Sequence, residues 1–167
     1  LALAGALAVS ALIVAIAGRD PAVAFGALLD GAFGSADSLS EVAVKTCPLL
    51  LCGLAIAISF QAGVWNIGVE GQLLMGALGM AALGTHALPL PAGLTLGAYL
   101  IAAAAAGAVW AGIAGVLKLR RNVNEVISTI MLNFVALGLI GYLVQGPLME
   151  AGGRYPQTDA VLPALWM

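Results

Sequence analysis

The chain has 167 residues, of which 62% are hydrophobic and 8% are charged, and its formal net charge is −2. A soluble domain carries about 25% charged residues, so this composition excludes an ordinary water-soluble globule. With six basic residues and no continuous basic patch, the sequence also excludes a nucleic-acid-binding protein. Long runs of Ala, Leu, Gly and Ile favour helices over the alternating strands of a barrel. We therefore predict an all-α fold, a polytopic transmembrane helical bundle surrounded by membrane lipid.

The hydrophobic pattern predicts about five membrane spans, since a bilayer core needs about 20 apolar residues of helix. In chain order, the predicted spans are residues 1–17, 47–64, 70–86, 94–117 and 125–145. Residues 18–46 carry charges and glycines and are predicted to be a loop, in which Ser38 or Ser40 would cap a short helix. Residues 87–93 are predicted to form a turn. The basic residues of 118–124 predict a cytoplasmic loop.

The segment 61–72, between the second and third spans, is the first of two polar clusters. It contains Asn66, Glu70 and Gln72 among glycines, and the span that follows it is short. One interpretation is a broken or re-entrant helix whose irregular backbone lines a translocation path. The other is a tight interfacial turn, in which Asn66 caps the next helix and Glu70 lies near its positive end. The residues leave both interpretations open.

The second polar cluster opens the fifth span. Asn122 and Glu125 have the spacing of a capping box, which gives them a structural role. Glu125, Thr129 and Asn133 follow at i, i+4 and i+8 and share one helix face, with Asn133 about 12 Å beyond Glu125. A buried amide there needs a partner in another helix, in water or in a substrate. We predict that this face points into the bundle interior, together with the polar groups of segment 61–72.

The chain carries no recognisable catalytic set. No Gly-x-x-x-x-Gly-Lys phosphate loop and no His-Glu-x-x-His zinc motif occur, and the two cysteines lack the paired spacing of a metal or redox site. We therefore expect no enzymatic activity, no cofactor and no metal ion. The small residues Gly107, Ala111 and Gly115, which recur every four positions, are interpreted as a helix-packing stripe.

Both polar clusters resemble segments of one transporter family. Residues 65–76 read Trp-Asn-Ile-Gly-Val-Glu-Gly-Gln-Leu-Leu-Met-Gly. They resemble the Phe-Asn-Ile-Gly-(Ala/Val)-Glu-Gly-Gln segment of bacterial ABC-transporter permeases for nucleosides and simple sugars, with Trp65 in place of Phe. These permeases belong to the wider family that serves ribose and branched-chain amino acids. Residues 124–133 resemble the same group's Asn-Glu-Val-Ile-x-Thr-Leu-Met-Leu-Asn segment, and the matches extend over residues 43–163. Shorter matches lie at residues 48–55 and 146–148.

The resemblance implies that residues 1–167 are the N-terminal part of a single transmembrane permease domain of roughly twice this length. It implies a permease subunit of an ATP-binding-cassette importer, which moves nucleosides or related simple sugars across the bacterial cytoplasmic membrane by alternating access. The implied partners are cytoplasmic ATPase subunits, a second permease subunit in a homo- or heterodimer, and an extracytoplasmic substrate-binding protein or lipoprotein.

The substrate path is a hypothesis that assigns five polar side chains to one shared interior. These are Asn66, Glu70, Gln72, Thr129 and Asn133. Two other functions stay open from the residues alone. One is a stand-alone secondary transporter or channel for a small polar solute, in which Glu70 carries a coupled proton. The other is a non-transporting scaffold of a membrane complex, in which the polar residues only join helices.

Overall fold

The computed structural model describes residues 1–85, 90–153 and 155–160, and the described residues form helices and connecting segments without a strand. The all-α prediction is confirmed. The helices are α1 (Ala2–Ile16), α2 (Pro21–Phe33), α3 (Ala36–Gln61), α4 (Val69–Gly84), α5 (Ala92–Arg121) and α6 (Glu125–Val144). The chain forms two compact units, Leu1–Leu50 and Leu51–Met167. His86 and residues 87–89 of the predicted turn at 87–93 lie outside the described residues.

The prediction of a loop over residues 18–46 is wrong, because most of this stretch is helical. The turn after α1 includes Gly18, whose φ is +72°. Asp20 then caps α2: its Oδ1 accepts a hydrogen bond from Ala22 N at 2.8 Å, and Pro21 occupies the first helical position, which its fixed φ suits. The axes of α1 and α2 are bent by 120° at this turn.

Helix α3 begins earlier than the span predicted at 47–64. Ser35 precedes its first residue, and the Ser35 hydroxyl accepts a hydrogen bond from Ser38 N at 3.0 Å. The predicted caps Ser38 and Ser40 are therefore wrong, since both lie inside the helix. Glu41 and Lys45 form an exposed ion pair one turn apart at 3.3 Å, so the charges of this region sit on a helix surface.

Three of the described helices, α3, α5 and α6, are long and apolar enough to cross a membrane on their own. Helices α1 and α2 reach that length only as a bent pair, which corresponds to a broken span or a re-entrant loop. Helix α4 has 16 residues and is about 24 Å long, shorter than a hydrocarbon core of about 30 Å. Of the five predicted spans, two are therefore too short to cross the membrane as single helices: 1–17, which contains α1, and 70–86, which contains α4.

In the second unit, α4 packs against α5 and α6 at glycines. A Cβ on Gly76 of α4 would lie 3.0 Å from the carbonyl oxygen of Ala103, and a Cβ on Gly107 of α5 would lie 3.0 Å from that of Gln72. The two backbones approach this closely only because both positions lack a side chain. Gly107 therefore packs as the stripe predicts, whereas Gly115 has no neighbouring atom within 4 Å of a Cβ.

The junction of α5 and α6 differs from the predicted basic loop at 118–124. Helix α5 continues to Arg121, so three basic residues lie in its last turn. Their positive charges interact favourably with the negative end of the helix dipole. Asn122 ends α5 in the left-handed conformation, with φ of +51°. Asn124 caps α6 by accepting a hydrogen bond from Val126 N at 2.9 Å. The predicted capping box of Asn122 and Glu125 is therefore wrong, because Asn122 belongs to the end of the preceding helix.

The two asparagines of this junction have different roles, which substitutions can test. Asn122→Gly is expected to preserve or raise thermal stability, whereas Asn122→Ala should cost about 1 kcal/mol, because alanine is strained in the left-handed region. Asn124→Ala should also cost about 1 kcal/mol by removing the cap of α6. Thermal unfolding of the purified full-length protein in detergent measures both effects. A glycine at 122 that destabilises more than alanine does would contradict the assignment.

Candidate functional site

Helix α3 ends abruptly at the segment 62–68, which we call the α3–α4 loop. Val64 N donates to the carbonyl oxygen of Ser59 at 2.9 Å, and Gly63 N donates to that of Phe60 at 3.0 Å. This pair of bonds ends a helix in a Schellman motif. Gly63 has φ of +74°, a conformation that glycine adopts without strain. The rest of the loop is irregular, so its backbone groups need partners from other elements.

Two amide side chains pair with each other across this loop. Asn66 Nδ2 donates to Gln72 Oε1 at 3.1 Å, and Gln72 Nε2 donates to Asn66 Oδ1 at 3.0 Å. Asn66 Oδ1 also accepts from Gly68 N at 3.0 Å. Gly68, and not Asn66, is the N-cap of α4, so the predicted cap lies two residues too early. Asn66 instead ties the loop to the first turn of α4 through Gln72.

Helix α6 supplies hydrogen-bond partners for the backbone of the loop. The Thr129 hydroxyl donates to the carbonyl oxygen of Glu125 at 2.7 Å and accepts from Ile67 N at 3.3 Å. Asn133 Oδ1 accepts from Gly71 N at 2.9 Å, and Asn133 Nδ2 donates to the carbonyl oxygen of Ile67 at 3.1 Å. The polar face of α6 therefore turns toward the loop and α4, and its side chains satisfy main-chain groups there.

This contact requires glycine on the α4 side. A Cβ on Gly68 would lie 2.9 Å from Thr129 Cβ, and a Cβ on Gly71 would lie 2.8 Å from Asn133 Oδ1 and 3.1 Å from Asn133 Cα. Thr129 is buried and Asn133 is half-buried. In segment 61–72, Gly68 and Gly71 thus allow the backbone to approach α6 closely. Gly63 is the one glycine of this segment with a positive φ.

A cavity of about 410 Å³ lies beside the loop, within the second unit. Its polar lining includes Asn66, Gln72 and Thr129, and its walls include the small residues Ala111 and Gly115 of α5. Cavities of about 300–1,000 Å³ that combine apolar walls with a few polar groups are typical of small-molecule sites. Three of the five predicted path residues therefore line one cavity, and the small-residue stripe of α5 forms part of its wall.

An ion pair borders the same cavity. Lys118 Nζ lies 2.8 Å from Glu125 Oε2, and both residues belong to the lining. The side chains are 45% and 20% exposed respectively. From the sequence, Lys118 predicts only the orientation, whereas Glu125 is predicted both to cap α6 and to lie on its inward polar face. Opposite charges in the last turn of one helix and the first turn of the next were the signal that could have indicated this pair.

Two predicted path residues, Glu70 and Asn133, lie outside the cavity lining. Glu70 lies in the first turn of α4 and is exposed, and it forms no hydrogen bond or ion pair with the described residues. Asn133 is hydrogen-bonded to Ile67 and Gly71 but does not belong to the cavity lining. The structure thus brings Asn66, Gln72, Thr129 and Asn133 together and leaves Glu70 apart from them. Their contact with a substrate stays a prediction.

The family model that matches this chain and three of its relatives all describe permease components of transporters. The family described as "Branched-chain amino acid transport system / permease component" matches residues 38–162. The chain is 40% identical over 165 residues to the glucose ABC transporter permease protein TsgB13 of Haloferax volcanii, which covers 96% of this chain and 43% of that protein. It is 43% identical over 144 residues to the guanosine ABC transporter permease protein NupP of Bacillus subtilis, which covers 86% of this chain and 41% of that protein.

A third relative is the nucleoside ABC transporter permease protein NupB of Lactococcus lactis subsp. cremoris, 31% identical over 134 residues, or 80% of this chain and 37% of that protein. The chain therefore spans about 40% of the length of these relatives. No solved structure matches it. The matched residues cover well over half of the chain and include both polar clusters and the cavity beside them. The chain belongs to the permease-component family of branched-chain amino acid transport systems and is a multi-pass membrane protein.

Proposed function

We propose that this chain is part of the membrane-spanning permease subunit of an ATP-binding-cassette importer for nucleosides or related simple sugars. The observation that carries the proposal is the similarity, over most of the chain, to permeases named for glucose, guanosine and nucleosides. In such an importer a separate ATPase would supply the free energy for alternating access. The permease subunit itself would bind and pass the solute and would catalyse no reaction.

The chemistry of the cavity supports this substrate class. After pairing with each other, the Asn66 and Gln72 amides each keep one N–H donor, and Gln72 Oε1 keeps one acceptor site. These groups match the hydroxyls of a sugar and the edge of a nucleobase. The apolar walls suit the face of a ring. In this proposal Asn66, Gln72 and Thr129 contact the solute, whereas Asn133 positions the α3–α4 loop that carries them.

The proposal also includes the partners and the membrane. Two cytoplasmic ATPase subunits, a second permease subunit and an extracytoplasmic substrate-binding protein or lipoprotein would complete the transporter. The segments α3, α5 and α6 would cross the bacterial cytoplasmic membrane, with the basic end of α5 on the cytoplasmic side. The exposed Arg120 and Arg121 at that end suit the anionic headgroups of the inner leaflet.

Reconstitution tests the proposal directly. The full-length permease is placed in liposomes with its ATPase and binding-protein partners, and accumulation of radiolabelled guanosine and glucose is measured. We expect accumulation with enclosed ATP and none with a non-hydrolysable ATP analogue, in the absence of any proton gradient. The matched control is the same preparation without the ATPase subunits.

The secondary-transporter alternative predicts a different result. Accumulation would then follow an imposed pH gradient without the ATPase, and Glu70→Gln would abolish it because a coupled proton needs an ionisable carrier. In the importer, Glu70→Gln should leave ATP-driven accumulation largely intact, since Glu70 lies outside the cavity. Gradient-driven uptake that Glu70→Gln removes would reject the proposed function.

A further inference from the structure

The cavity beside the α3–α4 loop contains one positive and one negative charge. Lys118 and Glu125 are the charged members of its lining within the described residues, and their Nζ and Oε2 atoms lie 2.8 Å apart. The remaining lining groups are amides, hydroxyls and apolar side chains, such as Asn66, Thr129 and Ala114. As long as the ion pair is closed, the lining has no net charge.

The ends of two helices hold these charges together. Lys118 lies in the last turn of α5 and Glu125 is the first residue of α6. Only three residues connect the helices, and the first and last of them, Asn122 and Asn124, are the C-cap of α5 and the N-cap of α6. The pair is therefore positioned by backbone structure as well as by side-chain attraction. Because both charged groups line the cavity, removing either one leaves the charge of the other unbalanced there.

We propose that the Lys118–Glu125 ion pair determines the charge selectivity of this cavity: it keeps the cavity electroneutral and restricts it to uncharged polar solutes. A nucleoside or a free sugar can hydrogen-bond to the N–H groups that remain on Asn66 and Gln72 without bringing a charge. A phosphorylated nucleoside or sugar would bring a negative charge that has no free counter-charge here and is costly to desolvate. A zwitterionic amino acid would first have to separate the pair. The choice of cargo rests on the proposed function, whereas the charge balance itself does not.

Thiol reactivity measures the charge balance without any cargo. Ala111→Cys is introduced into the full-length protein from which Cys47, Cys52 and any other cysteines have been removed, and the protein is purified in detergent. Ala111 belongs to the cavity wall. The rates of modification by anionic, cationic and neutral methanethiosulfonates of similar size are compared, each relative to its rate with a free thiol. Gly115→Cys is the second position, since a Cβ there meets no atom within 4 Å.

The two charge-removing variants should respond with opposite sign. Glu125→Gln leaves Lys118 unpaired and should raise the ratio of anionic to cationic reagent rates by roughly tenfold, the lower range of electrostatic focusing in a cleft. Lys118→Gln should lower the same ratio by a similar factor. The charge-swapped double variant, Lys118→Glu with Glu125→Lys, should restore the original ratio. A merely structural ion pair would change all three rates together, and equal ratios in every variant would overturn the proposal.

Protection from the neutral reagent tests the cargo. In the Ala111→Cys protein that keeps Lys118 and Glu125, guanosine and glucose should protect the cysteine from the neutral reagent. Guanosine 5′-monophosphate, glucose 6-phosphate and leucine should not protect it. Glu125→Gln should gain protection by the two phosphate esters. If the reagent ratios change as expected and no neutral solute protects, the charge role stands and the proposed cargo fails. If guanosine protects and the ratios do not change, the proposed function stands and this inference fails.

Discussion

Gly71→Ala is expected to reduce the yield of folded protein and its transport activity several-fold. The new methyl group would lie 2.8 Å from Asn133 Oδ1, 3.1 Å from Asn133 Cα and 3.3 Å from the carbonyl oxygen of Leu132. Two of these three atoms are backbone, so a side-chain rotation cannot relieve the clash. Helix α6 would have to move away from α4, which lengthens the hydrogen bond from Gly71 N to Asn133. Overpacking of this kind costs about 1–3 kcal/mol.

A matched substitution separates this effect from the general cost of changing a helical glycine. Gly138→Ala in α6 adds the same methyl group where no atom lies within 4 Å, and alanine favours the helix. We expect Gly138→Ala to equal or exceed the parent protein in thermal stability by size-exclusion chromatography after heating. Gly71→Ala should fall below both. Equal stability of the two variants would show that α4 and α6 do not approach as closely as described.

The sequence predicts that the membrane-spanning helices exist better than it predicts the residues at which they begin and end. The apolar runs indicate α3, α5 and α6 because length and composition suffice for a membrane span. The charges, the glycines and Pro21 predict a loop over 18–46, although the Asp20–Pro21 pair is itself a helix-start signal. The basic turn at the end of α5 was read as a loop for the same reason. Charged residues argue against an apolar span, but at helix ends they often favour the helix, as the basic last turn of α5 does.

The candidate site could be predicted only in part. Periodicity places Thr129 and Asn133 on one face of α6, and burial requires partners for them. Their actual partners, the backbone of Ile67 and Gly71, lie 62 to 66 residues away in sequence. No local pattern encodes that pairing. Glu70 shows the reverse difficulty, because proximity in sequence to Asn66 does not determine which way a side chain points from the first turn of α4.

Asn133→Leu is expected to cause a loss of stability as large as that of Gly71→Ala. The substitution keeps the approximate side-chain volume but removes the acceptor for Gly71 N and the donor to the carbonyl oxygen of Ile67. Gly71 is buried, and a buried main-chain group that loses its partner costs about 1–3 kcal/mol. Ile67 is exposed, so the loss at its carbonyl adds less. The irregular α3–α4 loop cannot pair these groups internally, as a helix would. Thermal unfolding of the purified full-length protein measures the loss.

Gln61→Leu provides the matched control, because Gln61 is an exposed amide that forms no hydrogen bond with the described residues. It should leave stability unchanged.

The Asn133→Leu variant also separates support of the loop from contact with cargo. If Asn133 positions the loop, the remaining folded protein should transport with an unchanged KM, since Asn66, Gln72 and Thr129 still line the cavity. A raised KM at normal thermal stability would instead make Asn133 a cargo ligand, because a group that binds the solute affects affinity without holding the fold together.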